Sequence, residues 1–290
     1  NTTLTLSHNK NSVKALTGEA VQLYEAKFGF NQNTHRIAVG EPLGQFYGYI
    51  TEGLYQVDDF NYDASTQTYT LKDGIPYHGD KGQIRPGMWK FKNLTGDDNV
   101  IDENDKTVIG NAQPKFYGGL NNSFTYKGFD LSIFLTFSYG NEVLNATKLV
   151  TSKVGSLNYN ALDVMNSSNR WMTINSDGQK VTDPGELAAL NAGKTVAAYH
   201  DAQQGDNYIH SWAVEDASYL KLSNVTLGYT FPKNLIARVG LKNLRLYATG
   251  NNLLTWTKYS GFDPEVSTMK SGLTPGVDFG AYPLSRSFIF

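Results

Sequence analysis

The stretch from Phe129 to Gly140 reads Phe-Asp-Leu-Ser-Ile-Phe-Leu-Thr-Phe-Ser-Tyr-Gly, and its alternation restricts the fold more than any other part of the chain. Successive side chains of an extended strand point to opposite faces. Phe129, Leu131, Ile133, Leu135, Phe137 and Tyr139 therefore line one face, and Asp130, Ser132, Thr136, Ser138 and Gly140 the other, with Phe134 the single breach. A sandwich strand in water also alternates, but it carries long charged side chains on its wet face. Small polar residues suit a crowded barrel interior, and an apolar face with aromatics near both ends suits lipid and its interfacial girdles. Taken alone, the strand leaves two architectures open: a membrane β-barrel and a soluble β-domain.

Composition narrows the class without deciding between them. The 290 residues fit one large β-domain. With 25 Lys and Arg against 27 Asp and Glu the net charge is −2, and nothing points to a nucleic-acid partner. Eighteen Tyr, 15 Phe and 28 Gly favour strands and turns. The absence of cysteine removes disulfides, thiolate metal sites and a thiol nucleophile. No apolar run reaches the ~18 residues of a spanning helix, which leaves a barrel untouched because its spans are about ten alternating residues. The chain opens on Asn1-Thr-Thr-Leu-Thr-Leu-Ser, without Met and inside a strand, and reads as a mature or truncated C-terminal piece of something longer.

Along the chain, strands are expected at Thr3–Ser7, from about Phe46 to Tyr55, at Phe116–Tyr126, Tyr219–Phe231, Leu244–Trp256 and Tyr282–Phe290, beside the one at Phe129. A weak helical pattern covers Glu19–Lys27. Asp183-Pro184 can open a short helix, with Asp183 as cap and Pro184 at the first helical position. Lys127-Gly128 is a tight hairpin turn. Polar stretches near 57–114, 145–215 and 258–281 read as long loops, and they alternate with short connections at 127–128 and 232–241. Outer-membrane barrels have this asymmetry, with long extracellular loops and short periplasmic turns.

Several blocks then resemble the SusC/RagA family of TonB-dependent outer-membrane transporters. They are Val39-Gly-Glu-Pro-Leu-Gly before Phe46-Tyr-Gly-Tyr-Ile-Thr-Glu-Gly-Leu-Tyr55, Pro86-Gly-Met-Trp-Lys-Phe-Lys, Ile101-Asp-Glu-Asn-Asp-Lys-Thr-Val-Ile-Gly-Asn111 and Pro114-Lys-Phe-Tyr-Gly-Gly119. Further matches run from Val214 to Pro232, from Leu246 to Pro264 and over Tyr282-Pro-Leu-Ser-Arg286. The resemblance covers almost the whole chain and is weakest at 145–213. It implies an all-β fold, the C-terminal portion of an antiparallel transmembrane β-barrel of about 22 strands around a plug. Residues 1–290 would supply about seven of those strands, without the plug. The implied function is TonB-dependent import of glycans or peptides across the outer membrane of a Gram-negative, Bacteroidetes-type bacterium. The implied partners are a SusD-like surface lipoprotein as lid, TonB through the missing N-terminal part, outer-membrane lipid, and the oligosaccharide or peptide itself. The competing reading is a soluble all-β carbohydrate-binding or interaction module. The chain ends at Ser287-Phe-Ile-Phe290, a few residues before family members usually stop.

No enzyme is expected. GxSxG, GxGxxG, P-loop and HExxH patterns are absent, and Glu215-Asp216 has no readable cleft or carboxylate separation. Asn93–Asp105 is the most chemically suggestive segment. Calcium loops place Asp and Asn oxygens at alternate positions around a Gly, because a hard cation takes six to eight oxygens. Here Asn93 and Asp98 stand where Asp and Gly are expected, with one extra residue before Ile101. Two readings stay open: a calcium ion on Asp97, Asn99, Asp102 and Asp105, or an acidic surface turn tied by Asx hydrogen bonds. Trp171, Tyr199, Tyr208 and Trp212 are the candidates for contact with sugar rings or with the lid, their alternative being packing that holds a long loop together. The five histidines (His8, His35, His78, His200, His210) lack metal-ligand spacing and read as solvated loop residues.

Overall fold

The computed structural model describes residues 1–25, 32–96, 98–152, 160–198, 208–268 and 271–290. Its frame is one antiparallel sheet of six strands, numbered here in chain order: β1 (Thr2–Ser7), β2 (Phe116–Tyr126), β3 (Phe129–Tyr139), β4 (Tyr219–Thr230), β5 (Arg245–Thr257) and β6 (Ser287–Ile289). Each strand pairs with its neighbour in this order, so the sheet is a simple meander. The expected count of about seven becomes six, because the run from Phe46 to Tyr55 joins a different sheet. The last strand is also shorter than the sequence suggests, three residues at Ser287–Ile289.

Register confirms the two faces of β3. Phe129, Leu131, Leu135 and Phe137 lie opposite Tyr229, Leu227, Leu222 and Leu220 of β4, and Leu131 and Leu135 lie opposite Phe124 and Leu120 of β2. Among the described residues no second sheet covers this apolar strip: Leu4, Phe124, Tyr126, Phe129, Leu227 and Leu246 are all more than half exposed. Aromatic pairs close it at both ends, Phe116 with Tyr139 at 4.8 Å between ring centres and Phe129 with Tyr229 at 4.5 Å. Strands of 11 to 13 residues in β2–β5 meet the ~9–11 residues that a tilted strand needs to cross a bilayer.

The opposite face is a ladder of short polar side chains. Asn224 donates to Asn251 at 2.7 Å, the Thr226 and Thr249 hydroxyls meet at 2.8 Å, and Thr136 meets Ser223 at 2.6 Å. Against β3, Ser223 is the extra residue of a β-bulge between Leu222 and Asn224, which bends the strand and turns its hydroxyl to this face. Phe134 lies on this polar face, opposite Asn121 and Asn224, with its ring over Gly119, where a Cβ would come within 2.9 Å of it. Asp130 and Arg245 form a two-point ion pair, at 3.1 and 2.6 Å, that reaches across β4. Gly228 makes room for it, since a Cβ there would meet the guanidinium at 2.4 Å.

Short and long connections leave from opposite ends of the sheet. Residues 127–128 and 231–244 are the short ones; 8–115, 140–218 and 258–286 are the long ones. Lys127 (φ 46°) and Gly128 (φ 88°) both take left-handed backbone, the two-residue turn whose twist matches the flanking strands.

The hydrophobic core sits in the long connections, not in the sheet. Phe46, Tyr55, Phe91, Leu144, Ile209 and Trp171 are fully buried there. Gln45–Gly48 and Thr51–Leu54 replace the single expected strand: the first pairs with Thr107–Asn111 and Asn33–Ala38, the second with Trp89–Phe91. Val21–Glu25 is a strand where a helix was expected over Glu19–Lys27, because it pairs with Asn33–Ala38; tertiary pairing overrides the weak local pattern. Glu142–Asn145 lies between Val214–Asp216 and Val277–Asp278, which ties the second long connection to the third, and Asn111 N of the first donates to the Glu142 carboxylate at 2.7 Å. The helix Pro184–Leu190 forms as expected, with the Asp183 carboxylate accepting from Glu186 N at 3.0 Å.

Candidate functional site

The chemically distinctive part of this loop assembly is a cluster of rings built from four stretches of chain. Tyr49 stacks on Phe91 at 5.2 Å, and Tyr208 meets Tyr49, His78 and Phe91 edge-on at 5.3, 5.4 and 5.6 Å. Trp89 and His210 flank Trp212 at 5.0 and 6.1 Å. The Lys148 ammonium lies 4.1 Å above the Trp212 ring, donates to the Trp212 carbonyl at 2.9 Å and pairs with Glu215 at 3.1 Å. Lys106 stands 5.2 Å from the Tyr49 ring. Backbone ties hold the stretches together: Tyr49 N donates to Ile209 O, and Ser211 N to Tyr49 O, both at 2.9 Å. Gly48 permits that approach, since a Cβ there would lie 2.2 Å from the Ile209 carbonyl oxygen.

Of the four aromatic candidates, Tyr208 and Trp212 belong to this cluster and are partly buried. Trp171 belongs to the same core but is 1% exposed. Its ring lies on Gly87, where a Cβ would come within 2.4 Å of it, and its backbone N donates to Val196 O at 2.8 Å. Trp171 thus packs the loop together and has no face left for a ligand. Tyr199 lies outside the described residues.

Three of the five histidines are buried, against the expectation that they are solvated. His35, His78 and His210 are 0%, 2% and 1% exposed. His35 Nε2 lies 2.9 Å from the Pro275 carbonyl; a carbonyl can only accept, so Nε2 carries the proton. Nδ1 then accepts from the Thr34 hydroxyl at 2.8 Å. Burial lowers this imidazole to a pKa of about 4, with the Pro275 carbonyl opposing. His210 shares a hydrogen with Thr51 Oγ1 at 2.8 Å, and burial, aided by the charges of Lys148 and His78, lowers it to about 3. Both ring nitrogens of His78 lack a hydrogen-bond partner among the described residues, and burial lowers it to about 4. The signal missed in the sequence is the company these histidines keep, Tyr77-His78 and Ile209-His210-Ser211-Trp212, where apolar neighbours carry the imidazole inward.

The acidic segment is organised around Asp105, which is fully buried. Its Oδ1 accepts from Leu94 N at 2.6 Å, Thr95 N at 2.9 Å and Thr95 Oγ1 at 3.2 Å, and its Oδ2 from Asp102 N at 2.8 Å. Burial opposes ionisation, but these donors outweigh it and hold the carboxyl below its ordinary range. Four bonds occupy about all the lone-pair sites of a carboxylate. Asp102 accepts from Asn104 N at 2.7 Å and Asn104 Nδ2 at 3.1 Å, and Asn99, at φ 58°, turns its carbonyl to Tyr77 N at 2.9 Å. Asp97 lies outside the described residues. Among the described residues no three His, Asp or Glu side chains are grouped as a metal site.

The third long connection is latched to the sheet's polar face. Lys221 of β4, 4% exposed, pairs with Glu265, and Tyr219 donates to the same carboxylate at 2.6 Å. Tyr259 donates to Asp278 at 2.6 Å, and burial with that carboxylate's charge raises the phenol far above its ordinary range.

Known proteins resemble the chain over nearly its full length. TonB-dependent receptor P3 of Formosa agariphila is 33% identical over 294 residues, covering 99% of this chain and 26% of the receptor. TonB-dependent receptor P39 of the same organism is 30% identical over 304 residues, 97% of this chain and 27% of the receptor. TonB-dependent receptor SusC of Bacteroides thetaiotaomicron is 28% identical over 219 residues, 73% of this chain and 18% of the receptor. The chain thus spans about a quarter of the length of the two Formosa receptors. No family model matches. Among solved structures, the RagAB peptide importer in its open-open state superposes with a TM-score of 0.64 at 19% identity, over 99% of this chain and 25% of that one. Its closed-closed state gives 0.62 at 20% identity, over 99% and 26%. At that identity the likeness is one of fold.

Proposed function

We propose, from the membership of this chain in the SusC/RagA-type TonB-dependent receptors, that it forms part of the wall and the outer loops of an outer-membrane nutrient importer. The observation that carries the reading is the sheet's uncovered apolar strip with an aromatic pair at each end, which matches the lipid face of a membrane barrel. The polar ladder then faces the lumen, and Phe134 and the Asp130–Arg245 pair are positioned to meet a plug. The long connections stand on the extracellular side, where a SusD-like lipoprotein would rest on them as a lid. Tyr208 and Trp212 retain surface for a saccharide ring or for that lid, while Trp171 acts by packing. In this reading the chain makes and breaks no bond; the substrate is an oligosaccharide or a peptide, and TonB acts through a part of the protein outside this chain.

The test is uptake by the complete protein. Cells carrying the full-length receptor should accumulate a labelled oligosaccharide or oligopeptide in a TonB-dependent manner, and deletion of the receptor should abolish it. Uptake of every tested glycan and peptide unchanged by the deletion sinks the reading.

Calcium on the acidic segment is a separate proposal. Asp97, Asn99 and Asp102 would be its ligands, and Asp105 the hub that shapes the loop. A full-length receptor whose melting temperature does not fall on calcium removal and rise on its return rules it out.

A further inference from the structure

The end of the sheet that carries the short connections is strongly basic and apolar at once. The 231–244 connection contains Lys233, Arg238 and Lys242 and no Asp or Glu. It folds as a helical turn, Lys233–Ile236, then a 3₁₀ turn, Ala237–Val239, closed by Gly240 in left-handed backbone (φ 74°). Ile236 anchors it inward at 4% exposed, while Leu235, Val239 and Leu241 stand out at 52%, 71% and 45%. The other short connection is its neighbour, with Thr230 N donating to Gly128 O at 2.8 Å, and it adds Lys127, whose ammonium lies 5.2 Å from the Tyr126 ring. Among the described residues the Asp or Glu side chain at this end is Asp130, and it is taken up by Arg245. Yet the chain as a whole carries a net charge of −2, so the positive charge is a local concentration and not a general property.

This surface continues the apolar strip. Phe129 meets Tyr229 at 4.5 Å, and Tyr229 meets Phe231 at 4.9 Å; the connection begins at Phe231. Exposed apolar side chains interleaved with cations, directly below an aromatic girdle, are the composition of a segment lying in a membrane interface. The apolar groups enter the acyl boundary while the cations meet headgroup phosphates, and a cluster of Lys and Arg beside a span gains from a negatively charged lipid surface.

We propose that the 231–244 connection, with Lys127 beside it, docks on anionic phospholipid headgroups of the leaflet at the short-connection end. Leu235, Val239 and Leu241 insert at the acyl boundary, and Lys233, Arg238 and Lys242 bind phosphate oxygens. The inference rests on the reading of the sheet as a membrane wall. Its role is to fix the height and tilt of β4 and β5, which the connection joins, against that leaflet.

The experiment uses the full-length receptor in proteoliposomes of phosphatidylethanolamine with and without phosphatidylglycerol. Single nitroxide labels at Val239→Cys and, as a reference, at Leu131→Cys are read by their relative accessibility to oxygen and to a water-soluble nickel chelate. The expected result is a lipid-type signal at both positions, with the Val239 signal strengthened by phosphatidylglycerol and that gain lost in K233Q/R238Q/K242Q. A lipid-type Leu131 with an aqueous Val239 overturns the docking and leaves the wall standing. An aqueous Leu131 overturns the wall and the docking with it. A Val239 signal indifferent to both phosphatidylglycerol and the triple variant overturns the assignment to anionic headgroups.

Discussion

At the scale of single residues, the loop assembly depends on keeping three imidazoles neutral. An unfolded or opened loop returns His35, His78 and His210 to an ordinary pKa near 6.5, whereas the closed assembly holds them at about 4, 4 and 3. The opened form therefore binds more protons between these values, so closure is fully favoured above pH 6.5 and weakens as the pH falls toward 4. At about 1.4 kcal/mol per unit of displacement, each histidine contributes on the order of 3 kcal/mol to that dependence. Hydrogen exchange of the full-length receptor, compared at pH 7.5 and 4.5 after correction for intrinsic rates, should show the segments around His78 and His210 losing protection while β3 keeps its own. Equal protection at both pH values defeats the argument. Sequence could not supply these burials, because what buries His78 is Tyr55, Phe91 and Tyr208, residues brought to it from three other parts of the chain.

At the scale of elements, β3 was fully legible and Phe46–Tyr55 was not, for one physical reason. Period two with small polar residues on one face determines the strand and which side chains share each face, and the register placed even Phe134 as that pattern requires. The Phe46–Tyr55 run is aromatic on both faces, which fits a wall strand and a buried loop strand alike. Gly48 decides between them by admitting the Ile209 carbonyl, a contact 161 positions away that no local pattern encodes. Of the aromatic candidates, the sequence could not separate Tyr208 and Trp212, which are partly buried, from Trp171, whose full burial lies in Gly87 beneath its ring. The membrane reading of β3 has its own mutational signature. Ile133→Arg puts a charge at the middle of the apolar strip and should destabilise the full-length barrel by about 2–4 kcal/mol in lipid. Ile174→Arg, the same change at an exposed position of the second long connection, should stay within about 0.5 kcal/mol. Equal effects in a urea titration of the two variants would contradict the lipid assignment.

At the scale of the whole molecule, two parts divide the work of the fold. The sheet has no hydrophobic core of its own: one face is an apolar strip and the other a hydrogen-bonded polar ladder. The long connections hold most of the buried residues; the Tyr49–Ile209 and Ser211–Tyr49 backbone bonds join the first to the second, Glu142–Asn145 joins the second to the third, and Glu265 on Lys221 joins the third to the sheet. The alternation of long and short polar stretches in the sequence foretold which end would be elaborate. It did not foretell that the elaborate end would contain the core, because a polar average conceals Phe91, Ile101, Trp171 and Ile209 scattered through it.

The Lys127–Gly128 turn has a consequence for how such a wall comes into being. Its left-handed pair lets β2 and β3 zip together with almost no chain to close, and the 231–244 connection does nearly the same for β4 and β5. Joining β3 to β4, in contrast, requires closing residues 140–218, and joining β1 to β2 requires closing 8–115. Loop-closure entropy rises with length, and contacts distant in sequence form late. Four of the six strands thus form two ready-made hairpins that meet side by side, and loop closure favours each hairpin forming before the two join.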